Sequence, residues 1–264
     1  MAILPFMLSP VGRFMSSPVM NCLRGGAGSF RSKLNTVNDL FDLASSACSV
    51  TRLAPGVSWS ESTHQQLSTI ESTLGAAQSA NNSVQVGCGI VQMLTGGLFF
   101  ETNPDGSFRV DPVSKQRQLL SPLTALSKVT RLASKILSTA RFMGSATLPV
   151  YQLGTHARGL GLSALAFGAV SSAFDVADNI QAIHHAVKAD PSGDGKTPTF
   201  ADRCKAARAS MFALLCSVLD VVAQGFNFVV EAISSVFLGA HTAFIVGIFC
   251  FLSALGNIIL ALAS

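Results

Sequence analysis

Side chains able to do chemistry are present in this chain, but at spacings that do not assemble a reaction centre. Its five histidines include the adjacent pair His184 and His185. On a helix these two point about 100° apart, so they cannot share a metal as an i, i+4 pair does. The six cysteines, Cys22, Cys48, Cys88, Cys204, Cys216 and Cys250, form no CxxC pair and have no zinc-type spacing to histidine. Cys216 and Cys250 lie inside apolar runs, where a thiol behaves as a small hydrophobe. Gly25-Gly26-Ala27-Gly28 invites a phosphate-loop reading that fails. The spacing to Lys33 is wrong, Leu34 stands where Ser or Thr is needed, and no apolar strand precedes it. The acidic stretch from Asp190 to Lys196 lacks the ligand alternation and closing glutamate of a calcium loop. No Gly-x-Ser-x-Gly elbow, HExxH or paired-carboxylate motif occurs. The sequence predicts no catalytic residue, no metal site and no cofactor, in a protein that is not an enzyme.

The elements around these residues have an unusual composition. Only 12% of the 264 residues are charged, about half the share of ordinary globular chains. Mean hydropathy is positive at +0.46, which suggests a surface facing lipid or a partner. The net charge of +4 is carried by scattered Lys and Arg, and one Tyr and one Trp accompany 18 Phe. Neither feature suits a nucleic-acid platform, so no nucleic-acid partner is expected.

Four regions are expected along the chain. Residues 1–34, rich in Pro, Ser and Gly, read as a flexible leader, and no basic n-region or cleavage site marks a secretory signal. Residues 35–188 read as a helical bundle domain. Val37, Leu40, Phe41, Ala44 and Cys48 form one apolar stripe, and Leu67, Ile70, Leu74 and Ala77 form a second on a helix starting near Ser60. Polar residues from Ser79 to Ser83 would interrupt that second helix. Asn103-Pro104-Asp105-Gly106, flanked by alternating residues, predicts a short β-hairpin at about 98–110. Helical pattern resumes near Val113, with Leu119, Leu123, Leu126, Ala133 and Leu137 on a stripe and Lys128, Arg131, Lys135 and Arg141 mostly off it. That basic face reads as solvated, or as a surface for anionic headgroups or an acidic partner. A further helix from Pro149 past Leu160 to His185 reads as a buried core helix, with a membrane-dipping segment as the alternative; Ala164, Gly168 and Ser172 give it a small-residue strip. Residues 189–199 read as a linker.

Residues 200–264 read as a bilobed membrane anchor. Arg203, Lys205 and Arg208 form a basic cluster for the headgroup side, and no Lys or Arg follows Arg208. Met211–Val230 and Thr242–Ala263 are each long enough to span, predicting a two-helix transmembrane hairpin. Asp220 is an intramembrane ionisable residue, to be neutral, paired with His241, or turned to a bundle interior. Ser235, Gly239, Ala243 and Gly247 recur every four residues and would let helices approach closely, within the chain or in a homo-oligomer. The fold class expected is mainly α, a helical bundle with one short hairpin and this anchor.

Ala213-Leu214-Leu215, Asp220-Val221-Val222-Ala223 and the apolar end from Gly247 to Cys250, with a weaker echo from Arg131 to Asp178, resemble the chlamydial inclusion membrane proteins. The resemblance implies type III secretion, insertion in the pathogen's vacuole membrane, and a soluble part facing host cytosol. It implies membrane lipids and unidentified host proteins as partners, and an effector rather than an enzyme. Two alternatives stay open beside this reading: a pore-forming or translocator protein, and a soluble all-helical bundle that buries its apolar C-terminus.

Overall fold

The computed structural model describes residues 17–144, 153–154, 156–188, 200–233 and 240–263. Six helices follow one another: α1 Pro18–Leu53, α2 Glu61–Leu94, α3 Pro122–Met143, α4 His156–Lys188, α5 Phe200–Ile233 and α6 Ala240–Ala263. Local chemistry sets the ends of the first three. Ser17, Ser60 and Ser121 are N-caps whose side chains accept from the amides of Met20, Thr63 and Thr124, at 3.4, 3.2 and 3.0 Å. Pro18 and Pro122 occupy first-turn positions, where the missing N–H costs nothing. α1 stops ahead of Pro55, which disfavours helical backbone in the residue before it. α2 gives way at Thr95 to Gly96, whose φ of 78° is the left-handed conformation common just past a helix end.

Each helix packs on its neighbours in sequence, and α6 packs on α1, so the six close into a ring. Among the described residues no other pair of helices packs backbone against backbone, and only long side chains such as Lys135 and Arg141 reach between helices that are not ring neighbours. The ring is an antiparallel barrel with an axis that no helix crosses.

The side-chain pattern of this barrel is inverted. On α1 the buried residues are Arg24, Arg31, Asn38 and Ser46, whereas Val37 and Leu40 are exposed. α2 buries Gln85 and exposes Ile70 and Val84. α3 buries Ser127 and Thr139 and exposes Leu126 and Ile136, with Leu132 its one buried large apolar residue. On α4 Ser171 and Ser172 face inward and Phe167 and Val170 outward. Leu215, Val218 and Phe226 on α5, with Leu252 and Ile259 on α6, continue the outer apolar coat.

Several expectations are corrected by this arrangement. The leader expected over 1–34 is helical from Pro18, because Ser17 and Pro18 supply a helix start. The Ser79–Ser83 stretch does not interrupt α2, since Asn81 and Asn82 are held by polar partners on α1. The helix expected from Val113 begins at Pro122. The 160–174 stretch is not a buried core helix: only its small and hydroxyl-bearing face turns inward, and 22% of the most apolar window of α4 is buried. Three helices are long and apolar enough to cross a membrane, over His156–Lys188, Ala207–Ile233 and Thr242–Leu262, where the two-helix anchor counted two.

The β-hairpin at about 98–110 does not form as paired strands, and there is no sheet among the described residues. The Asn103–Gly106 turn is present, closed by the Gly106 amide donating to the Asn103 carbonyl at 2.9 Å. Beyond it the chain makes three short passes joined by isolated antiparallel bridges, Phe100 with Leu119, Thr102 with Phe108 and Val110 with Arg117. The segment is held instead by α1. Arg24, only 2% exposed, donates from Nε to the Thr95 carbonyl at 2.9 Å and from Nη1 to the Gly106 carbonyl at 2.7 Å. Its guanidinium lies 3.6 Å from the Phe108 ring centroid, and Arg117 lies over the same ring at 4.3 Å. A hairpin is marginal alone, and here two stacked cations and a helix backbone do the holding.

Candidate solute lumen

Inside the ring runs a cavity of about 1060 Å³ to which all six helices contribute. Its lining on α4 extends from Gly161 to Asn179. At 1.5 Å per residue that is about 27 Å, close to the roughly 30 Å of a bilayer's hydrocarbon core. The wall is largely amide, hydroxyl and charge: Asn35, Asn38, Ser134, Gln224, Asn227 and Asn257 line it together with eight Asp, Lys and Arg side chains. These are Asp39, Asp42, Asp175, Asp178, Asp220, Arg131, Lys135 and Arg141.

Helical period places these groups on one face of each helix. On α1, Asn35, Asn38, Asp39 and Asp42 recur at three- and four-residue steps; on α5, Ser217, Asp220, Gln224 and Asn227 do the same. Polar contacts then lock neighbours in register. Between α1 and α2, Asn38 donates to Asn82 at 2.7 Å, Gln78 donates to Asp42 at 2.6 Å and Arg31 donates to Gln92 at 2.8 Å. Lys135 of α3 donates to Gln85 of α2 and to Asn35 of α1. Across α3 and α4, Arg131 pairs with Asp175, which also accepts from Ser127 at 2.5 Å. Ser121 and Thr124 donate to Asp178, both at 2.8 Å. Arg141 pairs with Glu231 of α5 at 2.9 Å, and Arg158 donates to the carbonyls of Glu231 and Ala232 at the end of that helix.

Asp220 is turned to the interior, where the hydroxyl of Ser253 and the amide of Asn257, both on α6, donate to it. Three of the four basic residues named on α3 are not a solvated outer face: Arg131, Lys135 and Arg141 line the lumen, and Lys128 does not.

Of the four-residue strip, Ser235 and Gly239 lie outside the described residues, Ala243 is exposed and Gly247 is buried. Gly247 permits close approach, but to α1: a Cβ there would stand 3.0 Å from Val50 Cγ2. The close contact between α5 and α6 is instead at Gly256, where an added Cβ would lie 2.6 Å from Cys216 Sγ. Arg208 is exposed on α5; the side chains of Arg203 and Lys205, like that of His241, lie outside the described residues. The linker at 189–199 and the helix start at Pro149 lie outside them as well.

All six cysteines are free, and no cluster of three or more His, Cys, Asp or Glu among the described residues could hold a metal. Comparison with known proteins returns nothing to set beside this geometry: no family matches the chain, and neither a curated protein nor a solved structure matches it.

Proposed function

We propose that this chain is a non-enzymatic, membrane-inserted six-helix barrel that passes small polar solutes through its lumen. One observation carries the reading: all six helices contribute to a largely polar lining along the axis, while large apolar side chains are exposed on the outside. A membrane is the solvent in which that pattern lowers the free energy, because lipid accepts the outer Leu, Ile and Phe while the barrel shelters the polar groups. Only 11% of the apolar window of α5 is buried and Leu262 at the end of α6 is 82% exposed, which speaks against a soluble bundle hiding its C-terminus in its own core. Of the readings the sequence leaves open, the pore is the one this geometry favours.

The test is reconstitution of the full chain in liposomes, followed by light scattering under an osmotic gradient of neutral polyols of increasing size. Carbonate-resistant insertion with swelling by the small polyols supports the reading. Insertion with no swelling by any of them refutes it.

The setting of the barrel rests on the resemblance alone. The stretches Ala213–Leu215, Asp220–Ala223 and Gly247–Cys250 suggest export by type III secretion into the membrane of a pathogen's vacuole, where host proteins would meet the exposed ends. Antibody staining of infected cells confined to the bacteria would end that part of the proposal.

A further inference from the structure

We infer that the lumen selects small cations over anions; this rests on the pore reading and adds the charge class of the solute. The inference follows from which lumen charges are matched by a neighbour of opposite sign. Arg131 is matched by Asp175, and Arg141 by Glu231. That removes two of the three lining cations from the balance. Lys135 remains, bound to the neutral side chains of Asn35 and Gln85. Against it stand Asp39, Asp42, Asp178 and Asp220, none of which forms an ion pair among the described residues. Four carboxylates against one ammonium leave a surplus of three negative charges on the wall.

The remaining contacts keep those carboxylates in place without neutralising them. Asp42 is positioned by the Gln78 amide, Asp178 by the hydroxyls of Ser121 and Thr124, and Asp220 by Ser253 and Asn257. Each donor is neutral, so it orients an oxygen and leaves the charge for whatever enters the lumen. The surplus is also distributed, with Asp39 and Asp42 on α1, Asp178 on α4 and Asp220 on α5. Charged side chains set around a bore are the device by which cation pores discriminate. Three uncompensated charges acting through water at about 8 Å favour a monovalent cation roughly tenfold, before any anion is counted as repelled.

The experiment is a reversal-potential measurement on the full chain in a planar bilayer under a KCl gradient, beside polyol flux in liposomes from the same preparation. Wild type is expected to prefer potassium over chloride by about tenfold or more, since the same charges that attract the cation repel the anion. Asp39→Asn, Asp42→Asn and Asp220→Asn combined cancel the surplus while keeping shape and hydrogen-bonding capacity, and should bring the preference to near unity with polyol flux unchanged. An unselective or anion-selective wild type that still passes polyols overturns the charge inference and leaves the pore standing. A triple variant that keeps both polyol flux and full potassium preference also overturns it. Absence of polyol flux in inserted wild type overturns the pore reading, and this inference with it. Because the wild-type measurement uses no variant, a triple variant that failed to fold would not shelter the inference.

Discussion

Replacing Gly106 by alanine tests how the segment between α2 and α3 is held to the barrel. Gly106 has a φ of 80°, a conformation that costs a residue bearing a Cβ about 1–2 kcal/mol. A second term is steric. The added Cβ would overlap the Asn21 carbonyl oxygen and stand 2.7 Å from Gly25 Cα, both backbone atoms of α1 that cannot rotate away. The turn must therefore lift, which breaks the 2.7 Å bond from Arg24 Nη1 to the Gly106 carbonyl. Loss of a hydrogen bond to a charged group costs about 1.5–3 kcal/mol. The two terms together predict a destabilisation of about 3–5 kcal/mol for Gly106→Ala. Gly56 is the internal control: its φ is 82° and nothing lies within 4 Å of the Cβ it would gain. Gly56→Ala should therefore show only the conformational part, about 1–2 kcal/mol. Equilibrium unfolding of both variants in mixed micelles, followed by far-ultraviolet circular dichroism, reads the difference. Equal losses at the two sites would refute the close packing of the turn on α1.

Three further outcomes are expected. Gly256→Ala should cost about 1–3 kcal/mol by pressing on Cys216, and adding Cys216→Ala should return most of it; strictly additive effects in the same unfolding assay would contradict the α5–α6 contact. In the folded protein a maleimide should modify exposed Cys22 and leave buried Cys216 untouched until denaturant is added, as read by peptide mass spectrometry; early labelling of Cys216 would contradict the packing. The carboxyls of Asp105 and Asp111 are held below the usual carboxylate range, first by the hydroxyls of Ser107 and Ser114 and then by backbone amides. Depressed folded-state values mean that the stabilisation is present above that range and lost as pH falls. Exchange of the amides of Ser107 and Val113, which those carboxylates accept from, should lose protection below about pH 4, and protection that persists to pH 2 would show the turns are held by other groups.

The helices were legible in the sequence and the direction they face was not. α2 starts at Ser60, where its apolar stripe placed a helix start, and the apolar runs of α5 and α6 are helices of spanning length. The stripes of α1 and α3 are legible too, but period alone marks an apolar face without saying what covers it. The signal that would have oriented them is the polar one. Arg24, Arg31 and Asn38 recur every seven residues on α1, as do Gln78, Gln85 and Gln92 on α2. Ser217, Asp220, Gln224, Asn227 and Glu231 recur every three or four on α5, so Asp220 is one member of a stripe rather than an isolated carboxylate in an apolar run. The ring closure itself, α6 onto α1, leaves only Gly247 against Val50 as a trace, and a single glycine does not name its partner.

The exposed apolar residues favour lipid as much through what they fail to cover as through their number. Among the described residues the buried hydrophobic set is Leu98, Phe108, Leu132, Ala164, Ala207, Cys216, Ala223, Val246 and Ala254, of which four are alanines. Alanine burial contributes little, and each ordered residue costs about 1–2 kcal/mol of backbone entropy, so this fully buried set offsets only a small part of that cost in water. Polar contacts along the axis do not close the gap there, because water offers the same groups equivalent partners in the unfolded chain. In lipid both terms change. The outer Leu, Ile, Val and Phe leave water on insertion, and the axial amides and carboxylates lose any alternative to one another or to water in the lumen. The inverted pattern therefore specifies a ring more strongly than a pair of spans: two or three helices could not enclose the polar stripes of α4, α5 and α6, whereas α1, α2 and α3, each with its own inward polar face, complete the wall.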